Sequence, residues 1–166
     1  PHKNNMHNIK QRILAGLIMA AMLSLPAYAQ EHAENPGFWY TNFEKAQQVA
    51  QKEEKDMILY FSGSDWCGPC KKLKKEVFTT DTFRHYAAEN WVFVYLDYPR
   101  YTPQDSAQRN HNKRIKKQYN AIGQFPKVLM LTAGGKVIGH AGYTGYPAPR
   151  YIGYLRKLKA RYNKHH

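Results

Sequence analysis

Cysteine is scarce in this chain, because only Cys67 and Cys70 occur among its 166 residues. No third thiol is left to form a structural disulfide elsewhere in the fold. A disulfide between these two would close a ring of four residues, and so short a loop restricts the unfolded chain little. The pair is therefore better explained by chemical reactivity than by stabilisation of the fold.

Acidic residues are also few, since 12 Asp and Glu stand against 25 Lys and Arg, for a net charge of +13. Lys3, Lys10 and Arg12 lie within residues 1–29, and the chain without those residues carries +10. Such a surface favours acidic partner surfaces or anionic membranes. No nucleic-acid-binding motif is present, and we expect no nucleic-acid partner.

Long apolar runs are absent, and the longest stretch, residues 13–25, is too short to span a bilayer comfortably. Lys10 and Arg12 precede it, and Ala27-Tyr28-Ala29 follows with the small-x-small pattern of a signal-peptidase site. We therefore predict that residues 1–29 are an N-terminal extension with a cleavable signal peptide, with an uncleaved single-helix anchor as the alternative. The predicted destination is the periplasm, with secretion as the second option, and either is an oxidising compartment.

Clusters of metal ligands are absent as well. His85, His111 and His140 have no metal-ligand spacing, and each is predicted to lie on the surface. The chain also has no internal repeat, which together with its length predicts a single domain. We expect no metal and no cofactor.

The cysteines lie in the stretch Ser62–Lys72, between an apolar run, Met57–Phe61, and a helical pattern that includes Leu73. A strand therefore ends, the chain turns, and a helix begins at the pair. Thiols three positions apart on a first helical turn face the same side and can form a disulfide. The helix start also presents unpaired N–H groups and a partial positive charge, which favour a thiolate at Cys67. The pattern predicts dithiol redox chemistry.

Apolar strands alternate with helical patterns over the rest of the chain. Two apolar strands that each follow a helix are expected to be parallel, and a Gly-Gly turn before a short apolar segment predicts an antiparallel hairpin. The predicted fold class is α/β, with a flexible lead-in at 30–37, a tail at 163–166, and Thr41 or Asn42 as the cap of the first helix. The predicted elements are strand 38–40, helix 43–54, strand 57–61, the cysteine helix, helix 80–89, strand 91–97, helix 106–119, strand 127–131, hairpin strand 136–139 and helix 149–162.

The cysteine stretch resembles the active-site motif of the thioredoxin-fold family. The resemblance rests on four features, Trp66-Cys67-Gly68-Pro69-Cys70-Lys71, Gly123-Gln124-Phe125-Pro126 before a strand, the turn at Gly134-Gly135-Lys136, and Gly142. It covers residues 38–162 and is stronger for exported thioredoxin-like proteins than for the cytosolic enzyme. It implies a thioredoxin fold, with a central mixed sheet of parallel core strands, a C-terminal antiparallel hairpin and helices on both faces.

The resemblance also implies a role for each matched residue. Cys67 would be the exposed nucleophile and Cys70 the buried resolving thiol, and the two would form a redox-active disulfide. Pro126 would be a cis-proline that offers a backbone edge to an extended substrate segment. The residues implied in substrate binding are Trp66, Gly68, Pro69, Phe125, Pro126 and Gly142.

The chain departs from the family pattern in three places. The strand before the motif, Ile58–Phe61, lacks the buried acid that often serves proton transfer, and Glu76 and Asp97 are the nearby alternatives. Phe125 stands where smaller residues are common. Residues 98–118 form an insertion that leaves the carboxyl end of a strand, so we predict that it lies at the active-site edge.

The expected function is that of an exported thiol-disulfide oxidoreductase, a thioredoxin-like enzyme that reduces protein disulfides through a mixed disulfide at Cys67. Its partners would be protein disulfide substrates and a membrane-bound or other thiol electron donor. Two alternatives stay open: a disulfide oxidase or isomerase, and a thioredoxin-fold binding module that uses its basic surface with little redox turnover. The basic stretch Arg109–Lys117 is either a solvated helix face or a docking patch, and Asp65 either tunes Cys67 or caps a turn.

Overall fold

The computed structural model describes residues 38–165 of the chain. The predicted signal segment at 1–29 and the lead-in at 30–37 lie outside the described residues, as does His166. Within residues 38–165, no helix is both long and apolar enough to cross a membrane.

The described residues form a five-stranded mixed sheet. Its strands, in the spatial order β1-β3-β2-β4-β5, are β1 Trp39–Tyr40, β2 Asp56–Ser62, β3 Trp91–Asp97, β4 Lys127–Leu131 and β5 Val137–Ala141. β1 and β2 both pair parallel to β3, whereas β4 pairs antiparallel to β2, and β5 antiparallel to β4. The parallel core strands and the antiparallel hairpin are therefore confirmed.

Helices follow the strands at the predicted positions. They are α1 Phe43–Lys52, α2 Gly68–Leu73, α3 Asp81–Asn90, α4 Ser106–Tyr119 and α5 Ala148–His165, with a π-helical turn at Lys74–Phe78 after α2. The side chain of Asn42 accepts a hydrogen bond from the N–H of Lys45, so Asn42 and not Thr41 caps α1.

Two helices end more than one residue away from their predicted C-terminal ends. α1 ends at Lys52, because Glu54 adopts a φ of 53° in the left-handed region, where a right-handed helix cannot continue. α5 continues to His165, so residues 163–165 are helical and do not form a separate tail. Residues 163–165 contain neither Gly nor Pro, so the helix continues through them.

Two hydrophobic clusters lie on opposite faces of the sheet. Ile58 and Tyr60 of β2 belong to the first cluster, and Met57, Leu59 and Phe61 belong to the second. The first cluster is shared with α2, α3 and α5, and the second with α1 and α4. All five β2 side chains are fully buried, and full burial of one such side chain contributes on the order of 1.5–3 kcal/mol. Helices therefore cover both faces, as predicted.

The prediction that His111 is a surface residue is wrong. Its side chain is buried, and its Nε2 accepts a hydrogen bond of 3.1 Å from the backbone N–H of Phe43. Its Nδ1 lies 3.0 Å from the Oδ1 of Asn112. Its Nε2 also lies 3.1 Å from the Oε2 of Glu44. His111 thus joins α4 to the start of α1 across 68 positions of sequence, a distance that no local pattern reports.

The segment predicted as an insertion, residues 98–118, divides between two places. Its first residues follow β3 and lie beside the cysteine motif. Its second part is α4, which packs against the second cluster through Ile115 and connects β3 to β4. The expected position at the active-site edge is therefore correct for the loop and wrong for the helix, because the apolar Ile115 holds α4 on the sheet face.

Candidate active site

The cysteine pair lies where β2 passes into α2. Cys67 is the N-cap residue of α2, and its Sγ accepts a hydrogen bond of 3.2 Å from the N–H of Cys70. The two cysteines form a disulfide, with their Cα atoms 5.2 Å apart. Both are buried in this oxidised form, and Cys67 keeps 4% exposure against 0% for Cys70. We expected Cys67 to be exposed and Cys70 to be buried, but in the disulfide form their exposed fractions differ little.

The surroundings of Cys67 favour a thiolate once the disulfide is reduced. An N–H that donates to the Cys67 sulfur stabilises the thiolate form more than the neutral thiol. Gly68 and Pro69, which follow Cys67, are exposed, so a substrate can reach the turn. Lys71 Nζ donates to the backbone oxygen of Asp65 at 3.1 Å, and that contact places one cation beside the turn.

A second loop, between α4 and β4, lies against this turn. The Phe125–Pro126 peptide bond is cis, as predicted. Asn120 shapes the loop, because its Nδ2 donates to the oxygen of Gln124 at 2.8 Å and its Oδ1 accepts from the N–H of Gln124 at 3.0 Å. The rings of Phe125 and Trp66 have centroids 5.2 Å apart. The cis-proline loop therefore adjoins the residue that precedes Cys67.

Gly142 completes this corner of the site. A Cβ at Gly142 would lie 3.7 Å from the backbone oxygen of Pro126, an ordinary contact distance. Gly142 therefore lines the cis-proline loop, although a methyl group would fit there.

Trp66 is held on its other side by the loop that follows β3. Its Nε1 donates to the backbone oxygen of Tyr98 at 2.8 Å, and the Arg100 guanidinium carbon lies 3.9 Å from the Trp66 ring centroid. The indole also packs so closely on Gly63 that a Cβ there would overlap it. Gly63 is thus required by this packing, and Trp66 has one fixed orientation beside Cys67.

Asp65 anchors the same loop. Its carboxylate accepts hydrogen bonds from the backbone N–H groups of Arg100, Tyr101 and Thr102, at 2.8 to 3.2 Å. Desolvation would raise the pKa of Asp65, but these hydrogen bonds to the charged form outweigh it and lower the pKa to about 2. We predicted that Asp65 either tunes Cys67 or caps a turn. The structure shows that Asp65 instead anchors a different loop, the one after β3, whose backbone N–H groups donate to it.

The Cys70 side of the turn is built from Tyr60. Its hydroxyl donates to the backbone oxygen of Cys70 at 2.8 Å, and burial raises the pKa of Tyr60 above its ordinary value. Tyr60 thus lies in the strand where the family often places an acid. A cavity of about 260 Å³ opens beside Cys70. The cavity is lined by Ser62, Ser64, Cys70, Lys71, Lys74, Lys75 and Thr79.

The two alternative acids have structural partners of their own. Asp97 accepts hydrogen bonds from the N–H and the hydroxyl of Ser64, at 2.9 and 2.6 Å, and so joins the end of β3 to the cysteine turn. Glu76 accepts from the Tyr143 hydroxyl at 2.8 Å, and this bond raises the pKa of Tyr143. Within residues 38–165, neither carboxylate is hydrogen-bonded to a cysteine.

Comparison with known proteins agrees with this geometry. A family model described as thioredoxin-like matches residues 38–133, which is more than half of the chain. The chain belongs to the thioredoxin-like family. The disulfide bond reductase DsbH of Chlamydia pneumoniae is 28% identical over 123 residues, with 74% of each chain covered. The thioredoxin-related protein DsbJ of the same organism is 28% identical over 139 residues, which cover 83% of this chain and 40% of that protein.

Solved structures extend the comparison to the fold. A DsbH oxidoreductase superposes with a TM-score of 0.69 at 26% identity, covering 74% of this chain and 83% of that one. A thioredoxin from Thermus thermophilus superposes with a TM-score of 0.53 at 16% identity, covering 72% and 85%, which shows the fold alone. Together with the Cys67–Cys70 pair, the relatives identify this thioredoxin-like protein as a disulfide oxidoreductase.

The structure brings the predicted site residues to one end of the sheet. The residues gathered there are Trp66, Cys67, Gly68, Pro69, Cys70, Phe125, Pro126 and Gly142. Sequence reasoning missed the roles of Tyr60, Tyr98 and Arg100. One signal was available for Tyr98 and Arg100, because the parallel strands β2 and β3 must end at the same edge of the sheet.

Proposed function

We propose that this disulfide oxidoreductase is exported and that it works as a reductase of protein disulfides. The observation that carries the proposal is the Cys67–Cys70 disulfide at the start of α2, with the Phe125–Pro126 loop against Trp66. That arrangement combines an activated cysteine pair with an exposed edge at which a substrate segment can bind.

In the proposed reaction, the reduced protein meets a disulfide in its substrate. The Cys67 thiolate attacks one substrate sulfur, a mixed disulfide forms, and the other substrate sulfur leaves as a thiolate that takes up a proton. The Cys70 thiolate then attacks the Cys67 sulfur and releases the second substrate thiol. The substrate gains two electrons, and the protein is left with the Cys67–Cys70 disulfide. A thiol donor, membrane-bound or other, must return those electrons.

Substrate binding is assigned to the surface around the exposed turn. Gly68 and Pro69 are exposed beside Cys67, and Pro126 offers its backbone as an edge for an extended segment. Trp66, Phe125 and Gly142 would form the walls of this groove. Aromatic walls favour apolar side chains in the substrate next to the target cysteine.

Two observations support reduction over oxidation. Gly68-Pro69 between the cysteines resembles the reducing members of the fold, and DsbH of Chlamydia pneumoniae, a relative aligned over 74% of both chains, is a disulfide bond reductase. Export is supported by the apolar stretch and the small-x-small pattern within residues 1–29.

Insulin reduction with dithiothreitol as the electron source tests the activity. The protein should turn over, whereas Cys67→Ser should show no rate above that of the reductant alone. Cys70→Ser is the matched variant, since it keeps the nucleophile and removes only the resolving thiol. It should accumulate a mixed disulfide on Cys67 that is visible by mass spectrometry.

The equilibrium reduction potential tests the direction. A reductase should lie nearer to about −270 mV than to about −120 mV, the values of a reducing and an oxidising member of this fold. A potential near the oxidising end, with catalysed oxidation of a reduced protein, would contradict the proposed direction. It would leave the oxidoreductase activity itself in place.

Fractionation of expressing bacteria tests export. The protein should appear in the periplasmic fraction, shortened at the bond after Ala29, and replacement of Ala27 and Ala29 by bulky residues should block the cleavage. Full-length protein confined to the cytosolic fraction would contradict the proposal.

A further inference from the structure

The outer face of α4 carries an open groove with a volume of about 530 Å³. It is lined by Asn110, Lys113, Arg114, Lys116, Lys117 and Ala121, and we call this surface the basic groove. Residues three and four positions apart share one side of a helix, so Asn110, Lys113, Arg114 and Lys117 form one continuous strip.

The charge of the basic groove is largely uncompensated. α4 contains five Lys and Arg and no Asp or Glu. Arg114 Nη2 pairs with Glu44 Oε1 at 2.6 Å. Within residues 38–165, neither Lys113 nor Lys117 forms an ion pair with a carboxylate. The groove therefore presents at least two exposed ammonium groups that are available to an anionic ligand.

The position of α4 explains part of this pattern. Lys116 and Lys117 lie in its last turn, where cations interact favourably with the partial negative charge of a helix end. Lys113 lies before that turn, so the helix end does not account for it. If this face of α4 were merely solvated, there would also be no reason for it to lie close to the active site.

The basic groove does have such a relation, through Lys116. Lys116 Nζ lies 5.8 Å from the ring centroid of Phe125, whose ring in turn contacts that of Trp66 at 5.2 Å. Trp66 precedes Cys67. The groove thus begins where the cis-proline loop begins, two ring contacts from the disulfide.

We propose that the basic groove binds an acidic segment of the protein whose disulfide is reduced, near the target cysteine in its sequence. The inference rests on the proposed reduction of protein disulfides and names a feature of its substrate. Lys116 lies beside Phe125, so the basic groove adjoins the cis-proline loop on which the substrate segment would lie. Carboxylates in that part of the substrate complement Lys113 and Lys117, and the lysine stems and Ala121 cover its backbone.

Two peptide disulfides test the proposal, with dithiothreitol as the electron donor. One carries a run of glutamates that begins near its cysteine, and the other carries glutamines at the same positions. The protein should reduce the acidic peptide with a lower KM and a similar kcat. The double variant Lys113→Gln/Lys117→Gln should raise the KM for the acidic peptide by roughly three- to tenfold and leave the neutral peptide unchanged. Added salt should reduce the preference.

The matched control is Lys157→Gln/Lys164→Gln, which removes the same charge from the exposed surface of α5, on the other face of the sheet. It should keep the preference for the acidic peptide. Equal KM values for the two peptides would overturn the groove as a specific site. An equal loss of the preference for the acidic peptide in both double variants would also overturn it, and would indicate attraction by net charge alone.

A binding measurement separates this inference from the proposed function. The thiol-free acidic peptide is titrated into Cys67→Ser/Cys70→Ser protein and followed by fluorescence anisotropy. Binding that weakens in Lys113→Gln/Lys117→Gln supports the groove even if no peptide is turned over. Binding equal to that of the glutamine peptide, despite normal insulin reduction, would refute the groove and leave the reductase intact.

Discussion

The two sides of the cysteine turn are constructed differently. On the Trp66 side, the half-exposed ring of Trp66 stacks with Arg100 and donates a hydrogen bond to the backbone of Tyr98. The loop that contains Arg100 is held by hydrogen bonds from its backbone to Asp65. On the Cys70 side, Tyr60 and Phe78 are fully buried, with ring centroids 4.8 Å apart. The side that a substrate would contact is thus built from loop contacts, and the side that holds the resolving cysteine is built from the core.

This difference has a consequence for variation. Packed interiors tolerate little change in volume, so the Cys70 side is constrained by the stability of the whole domain. The Trp66 side depends on hydrogen bonds of backbone groups and on the carboxylate of Asp65. These contacts hold the loop after β3 in place without requiring particular side chains in that loop. Substrate preference can therefore change there at little cost to the fold.

The largest expected contrast comes from the core. Phe78→Ala should lower the free energy of unfolding by about 3–5 kcal/mol, because the ring is fully buried among Tyr60, Phe83 and Phe93. Phe125→Ala removes the same atoms from a half-exposed position on the Trp66 side and should cost less than half as much. Denaturant unfolding of both variants measures this, and equal losses would remove the distinction between the two sides.

Asp65→Asn should have the next largest effect, and a local one. The variant weakens the bonds to three backbone N–H groups, so hydrogen exchange at Arg100, Tyr101 and Thr102 should accelerate by roughly tenfold or more. Asp81→Asn, at an exposed position in the first turn of α3, serves as the control. Unchanged exchange in the Asp65 variant would mean that the loop is held by other contacts.

The same carboxylate predicts a pH dependence. The folded protein lowers the pKa of Asp65 from 3.8 to about 2, so its stabilising contribution is present above about pH 4 and is lost as the pH falls towards 2. Loop exchange in the parent protein, measured against a remote amide in α5, should therefore rise through this interval. In Asp65→Asn that rise should be absent.

A smaller effect on the free energy of unfolding is expected when two tyrosines on the Cys70 side, Tyr60 and Tyr95, are each replaced by phenylalanine. Tyr60→Phe removes a buried hydrogen bond to Cys70 and should cost about 0.5–1.5 kcal/mol. The Tyr95 hydroxyl is also buried but has no hydrogen-bond partner among residues 38–165, so Tyr95→Phe should be nearly neutral. Burial, and then the charge of Asp97, raise the pKa of Tyr95 to about 12. A larger loss for Tyr95→Phe than for Tyr60→Phe in urea unfolding would contradict this interpretation.

The smallest effect concerns Arg100. Its backbone N–H binds Asp65 whatever its side chain is, so Arg100→Gln isolates the contact of the guanidinium with Trp66. We expect a loss of about 0.5–1 kcal/mol in thermal unfolding. Arg84→Gln, whose guanidinium carbon lies 5.9 Å from the Phe38 ring centroid, should lose less because its contact is longer. The opposite order would show that the Arg100 stack adds nothing.

Most of the sheet could be predicted from the sequence. The bounds of β3, α4 and β4 agree with the prediction, because uninterrupted apolar runs and a polar helical stretch are strong local patterns. The ends of α1 and α5 could not be predicted, since a left-handed backbone at Glu54 ends α1, and α5 continues through polar residues 163–165 that carry no apolar pattern. Only the structure showed that His111 is buried.

The candidate site divides in the same way. By itself, the sequence determined the cysteine pair, its place at a helix start and the proline of the second loop, because each is carried by a few consecutive residues. Only the tertiary structure decided that Asp65 anchors a loop 36 positions away and that Lys116 lies beside Phe125. The physical reason is that these contacts are made by backbone groups and flexible side chains. Such groups leave no pattern in a sequence until the fold brings them together.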